Sequence, residues 1–307
     1  MISRNNNLAS EIDRLERIIS EIPEEDAIER AAFEERLEAV RDAFGQLAAV
    51  SVPERTRLTF RGTPVTGSQG IKADFGGRAT LAFSEAFTAI VAGMKDNLKY
   101  MGPIPEKART QLTVTGTVTG SFGFEFELPK LPDDYFPGVG GAGESLSNLF
   151  ALLKTSAEGS DDEVADTVTE IHPRAVRKVT DFLTYLARNQ AWCAIEFRSR
   201  VFRYRDLQHL RTSIKRLSRE NIKEATETYI GEFQGVLPRQ RTFEFKDQDT
   251  GEVLKGKVGP DFIDAGVLNR EWLHKPVEVA FYVIQVGQGR PRYILRTIAD
   301  IRRARLT

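Results

Sequence analysis

Thr242-Phe243-Glu244-Phe245-Lys246-Asp247-Gln248-Asp249-Thr250-Gly251-Glu252-Val253-Leu254-Lys255-Gly256-Lys257 decides how the last quarter of the chain folds. Phe243 and Phe245 alternate with charged residues, the period-two signature of a half-buried strand. Asp249-Thr250-Gly251 is a hairpin turn, and Val253, Lys255 and Lys257 take every second place on the strand beyond it. Upstream, Thr226 to Val236 reads as another strand, with Gly231 and Gly235 where it can bend, and Pro238-Arg239-Gln240-Arg241 turns the chain. Downstream, Asp261 to Leu273 reads as a helical cap that holds Trp272. Val277 to Val286 is a nearly continuous apolar run, hence a buried strand. Gly287-Gln288-Gly289 turns into Arg292-Tyr293-Ile294-Leu295-Arg296, and a basic tail of Arg302, Arg303 and Arg305 follows. From Lys223 to Ile298 the order is strand, strand, strand, helix, strand, strand. It predicts a small closed five-stranded barrel of the OB type, with an SH3-like barrel as runner-up.

Outward from the barrel, the chain reads as α+β in three parts: an acidic helical arm over 1–50, a mixed α+β body over 51–222 and the barrel over 223–307. In the arm, Leu8, Ile12, Leu15, Ile19 and Ile22 recur at spacings of four and three, a coiled-coil-like seam. Pro23 breaks it, and Phe33, Leu37, Val40, Phe44 and Leu47 line a second helix. The pair is either a hairpin closed on itself or an arm that zips against another copy. In the body, Leu58 to Ser68 resembles Leu112 to Ser121, which suggests two similar β units bent at glycine. Between them Ala79, Phe83, Phe87, Ile90, Val91 and Met94 mark the apolar face of a helix over 77–95. Phe122, Phe124 and Phe126 alternate as on a half-buried strand. Helices are predicted over 145–156, 162–171 and 174–188. A hairpin at 192–204 and a helix capped by Asp206 follow.

Composition excludes some classes. The chain has 307 residues, a net charge of −1 and one cysteine, Cys193. No disulfide framework can form within it, which fits a reducing compartment. No apolar run of about 18 residues spans a membrane and no signal-peptide core opens the chain, so the expected setting is cytoplasmic without membrane contact.

The chemical motifs are thin. Cys193 sits on an apolar strand beside Trp192 and Ile195, the setting of a core thiol. No G-x-S-x-G elbow occurs. Gly138 to Gly143 match G-x-G-x-x-G, yet a loop precedes them where a dinucleotide site needs a strand. Asp133-Asp134 and Asp161-Asp162 read as turn chemistry. His172 has no partner at metal spacing. The expectation is no catalytic site, no cofactor and no metal.

Charge is more informative. Nine arginines and lysines fall between Arg198 and Lys223, opposed by Asp206 and Glu220 alone. Arg211 and Lys215 share a helix face. The loops that flank an OB binding face carry Arg239 and Arg241, and Arg290 and Arg292, while Lys255 and Lys257 point outward between them. These residues are the candidate nucleic-acid contacts. Few aromatics are free for base stacking, however, which favours backbone-tracking or a protein ligand over sequence readout. The expected function is a non-enzymatic binding or scaffolding subunit of a larger or self-associated assembly, acting through arm and barrel with a protein partner or a second copy. Nucleic-acid binding through the basic loops and the 198–223 strip is the alternative.

Overall fold

The computed structural model describes residues 2–22, 26–49, 53–95, 98–118, 122–131, 141–259, 262 and 264–304. The glycine-rich stretch 138–140, Asp133-Asp134, Pro23 and Arg305 lie outside the described residues, as do the side chains of Leu8, Phe44 and Leu47.

The arm is two helices, α1 (Ile2–Glu21) and α2 (Ala27–Ala49), packed on each other. The seam closes internally: Ile12, Leu15 and Leu37 are buried, with Ile19, Phe33 and Val40 against them. Arg36–Glu11 at 2.9 Å and Arg41–Glu16 at 2.7 Å tie one helix to the other. Between the two arrangements the sequence allows, the arm takes the hairpin.

The body is built on one five-stranded antiparallel sheet. Its strands are β1 (Arg55–Gly62), β4 (Thr113–Val118), β5 (Gly123–Glu127), β6 (Ala191–Phe197) and β7 (Arg200–Arg203), in the order β4-β5-β1-β6-β7. Alternation sorts the two faces. Thr56, Leu58, Phe60, Phe126, Cys193, Ile195 and Phe197 point inward and are buried. Arg55, Arg57, Glu125 and Glu196 face outward as a ladder of ion pairs, Arg57–Glu125 at 3.1 Å among them. One dry face and one wet face is the usual arrangement of an antiparallel sheet. The two similar β units each open with a strand of this sheet, β1 and β4. They diverge afterwards. β1 runs into a two-residue hairpin, β2 (Val65–Thr66) with β3 (Gly70–Ile71), whereas β4 turns back to pair with β5.

Helices cover the dry face. They are α3 (Ala73–Met94), α4 (Ala142–Glu158), α5 (Asp161–Thr169), α6 (Pro173–Arg188) and α7 (Leu207–Arg216). Their starts follow the sequence signals. Ser160 and Glu163 form a reciprocal capping box, Pro173 occupies the first turn of α6, and Asp206 accepts from the His209 N–H at 2.8 Å.

Glu85 on α3 bridges Lys107 and Lys178, each at 2.9 Å. The Lys107 hydrogen bond, ahead of the opposing effect of burial, holds its carboxyl below the ordinary value of 4.5. A depressed acid stabilises the fold fully above its unfolded value and loses that contribution as pH falls through its folded value. Melting curves of wild type and Glu85→Gln should therefore differ at neutral pH and converge below about pH 4.5.

The last part is a closed barrel. Its strands are β8 (Ile222–Leu237), β9 (Thr242–Asp247), β10 (Val253–Val258), β11 (Pro276–Val286) and β12 (Arg292–Leu295), with α8 (Val267–Glu271) between β10 and β11. β8 pairs with β9, β9 with β10, β10 in parallel with β12, β12 with β11, and β11 back with β8. That circuit is an OB-like barrel. Two glycines permit it. At Gly231, where β9 joins β8, a Cβ would stand 2.0 Å from the Lys246 carbonyl oxygen. At Gly256 it would stand 2.3 Å from the Phe243 ring. A bulge between Phe233 and Gly235 bends β8 around the corner. One strand lies beyond the sequence reading: β13 (Ile301–Arg303) takes part of the basic tail and pairs with β11.

The apolar run in β11 now has a cause. Val277, Val279, Phe281 and Val283 fill the barrel, while Ile284 and Val286 join the core of the body. A strand dry on both faces cannot alternate with polar residues.

Candidate functional site

A groove of about 830 Å³ opens on the barrel where the end of β8, β9, β10 and the start of β12 meet. Its apolar lining is Val236, Leu237, Phe243, Leu273 and Tyr293. β8 supplies its edge through Val236, whose N–H and carbonyl both bond the side chain of Asn269, at 3.0 and 2.8 Å. Leu237 is 57% exposed at the lip, an apolar side chain left facing solvent.

The charges around this groove are neutralised in pairs. Lys255 meets Glu244, its cross-strand partner, at 2.9 Å. Lys257 pairs with Glu170, and burial holds its ammonium below the ordinary pKa despite nearby Asp166. Arg292 donates to Asp166 at 2.6 Å and sits 3.2 Å from Asp162. It also donates to the Arg290 carbonyl at 2.9 Å, and Asp166 keeps its guanidinium above the usual range. Arg290 is exposed, but its backbone N–H donates to Asp162 at 2.9 Å, and this bond depresses the Asp162 carboxyl. The Gln288 N–H donates to Asp161 at 3.1 Å. Asp161 and Asp162, read from sequence as turn residues, thus open α5 and grip the loop between β11 and β12.

Arg241 faces inward as a structural clip. It has φ 51° and donates to the carbonyls of Val258 at 3.3 Å, Gly259, and Phe262 at 3.0 Å. Arg239 and Arg290 are exposed, and neither guanidinium forms an ion pair or hydrogen bond among the described residues. Of the four arginines, Arg241 and Arg292 are engaged by the fold, and the side chains of Arg239 and Arg290 are left to solvent.

The basic strip divides likewise. Arg198 pairs with Glu54 at 2.6 Å, and Arg216 approaches Asp161 at 4.0 Å and caps the Gly159 carbonyl at 2.5 Å. Arg203, Arg205, Arg211, Lys215, Arg219 and Lys223 are exposed without ion pairs among the described residues. The arm's ion pairs, among the described residues, stay within the arm.

Cys193 is 3% exposed, and burial pushes its thiol far up. His209 packs against Phe202 and Tyr204 and accepts at Nδ1 from the Arg205 N–H at 3.2 Å. A thiol without a thiolate is a poor nucleophile. Ellman's reagent should therefore leave the native protein unlabelled over minutes and titrate one thiol after denaturation. Among the described residues no group of three His, Cys, Asp or Glu could hold a metal ion, and no helix is long and apolar enough to cross a membrane.

The geometry defines an OB-like barrel with a groove lined by both apolar and charged residues, seated on an α+β body. No protein-family model matches the chain, and no curated protein matches its sequence.

Proposed function

We propose that the chain is a non-catalytic binding subunit whose barrel groove takes a short apolar-anchored segment of a partner protein. One observation carries the reading: the barrel groove offers exposed Leu237 beside Val236, Phe243 and Leu273, while Lys255, Lys257 and Arg292 are already paired with carboxylates. A polyanion would have to break those pairs. An apolar side chain entering the groove meets matching surface, and the carboxylates and cations at the lip can exchange partners with a peptide of mixed charge. Because the arm closes on itself, it supports the scaffolding role less than the barrel does.

Peptides selected by display against the whole protein test this. Full burial of a Leu-sized contact is worth about 1.5–3 kcal/mol, so Leu237→Asp should weaken selected peptides by about ten- to a hundredfold. Unfolding midpoints should not change. Equal binding by Leu237→Asp would move the ligand elsewhere.

Nucleic-acid binding remains the second reading because Arg239, Arg211 and Lys215 stay exposed and unpaired among the described residues.

A further inference from the structure

A second recess lies between body and barrel and shares no lining residue with the barrel groove. It measures about 640 Å³. Val168 of α5, Val176 of α6, Ile222 of β8 and Ile284 of β11 give it an apolar floor. Tyr100 forms one wall. Its ring stands against His172 at 4.9 Å, and Arg174 holds the segment in place by donating to the Lys99 carbonyl at 2.8 Å and to that of Gly102. Three cations line the recess: Arg177 from α6, and Arg219 and Lys223, four residues apart where the chain passes from α7 into β8. All three are exposed, and none forms an ion pair or a side-chain hydrogen bond among the described residues. The lining contains one carboxylate, Glu224, and this already accepts from the Tyr282 hydroxyl at 2.5 Å. Elsewhere on the molecule, Lys257, Arg198 and Arg292 show what cations near a carboxylate do here: they pair with it.

We propose that this recess binds a small aromatic phosphate monoester, with the phosphate held by Arg177, Arg219 and Lys223 and the ring lying on the apolar floor beside Tyr100. Convergent unpaired cations suit a dianion, since arginine donates in a planar fork and lysine adds a point charge. The dry floor and the tyrosine account for the ring, which inorganic phosphate lacks. The site shares none of its three cations with the barrel groove, so either can fail without the other.

Titration calorimetry of the full chain with phenyl phosphate tests the proposal, with inorganic phosphate and phenol as separate arms. Saturable binding of phenyl phosphate is expected, at least tenfold tighter than either fragment and weaker at high salt. Arg219→Gln with Lys223→Gln should abolish it, and Arg177→Gln, a change at an exposed helix position, should weaken it in an unquestionably folded protein. Arg239→Gln should leave it intact. The proposal is overturned if phenyl phosphate does not saturate wild type in the millimolar range. Equal affinity for inorganic phosphate overturns it too, as does binding that neither set of substitutions changes.

Discussion

Phe281→Ala is expected to destabilise the protein by about 3–5 kcal/mol, the range for emptying a buried phenylalanine site. Phe281 is 0% exposed and stands at the centre of the barrel. Its ring stacks on Phe243 at 5.0 Å, meets Phe245 at 5.2 Å and Tyr229 at 5.7 Å, and approaches Tyr293 at 6.1 Å. Those partners come from three strands, β8, β9 and β12, so with its own β11 this one side chain reports on four of the five strands of the circuit. Each aromatic pair adds about 0.5–1.5 kcal/mol beyond area burial. Urea unfolding measures the loss. Tyr282→Phe is the control: this neighbour faces the other side of β11 and gives up one hydrogen bond, to Glu224. A cost for Phe281→Ala below about 1 kcal/mol would mean that the cylinder is not packed as described.

Arg241→Gln should cost about 1.5–3 kcal/mol, the worth of charge-assisted hydrogen bonds to backbone. The guanidinium clips the chain after β10 to the turn before β9 by serving the carbonyls of Val258, Gly259 and Phe262. Glutamine is too short to reach all three. Arg239→Gln, two residues away on the same turn, should leave the urea midpoint where it is. Equal midpoints for the two variants would contradict the division between a structural arginine and a free one.

That division could not be read in the sequence. Arg239 and Arg241 look alike there, because a side chain's partners are set by tertiary contacts. Arg292 meets Asp166, 126 positions away, and no local pattern announces such a pair. The strands were legible because each carries its own signal: alternation at Phe243 and Phe245, the Asp249-Thr250-Gly251 turn, the unbroken apolar run of β11. The arm was legible as two helices, but its seam suits a partner in the same chain or in another one. What resolves that choice is the burial of Leu37 against Ile12 and Leu15. The groove went unread because Leu237 and Leu273 come together only when β8 bends at its bulge. An exposed leucine at a strand end, just before Pro238, was the signal available. The recess beside Tyr100 was legible only in part: Arg219 and Lys223 belong to the basic 198–223 strip, but no local pattern brings Arg177 of α6 or the apolar floor to them.

On the proposed reading the barrel groove takes an apolar peptide rather than a phosphate backbone. Fluorescence anisotropy of two labelled ligands, a display-selected peptide and a single-stranded oligonucleotide, tests it most directly when read between 50 and 200 mM salt. The expected result is peptide affinity that barely moves with salt and collapses in Leu237→Asp, with weak oligonucleotide binding that Arg239→Asp does not alter. Oligonucleotide affinity that falls steeply with salt and disappears in Arg239→Asp, beside a peptide indifferent to Leu237→Asp, would contradict it.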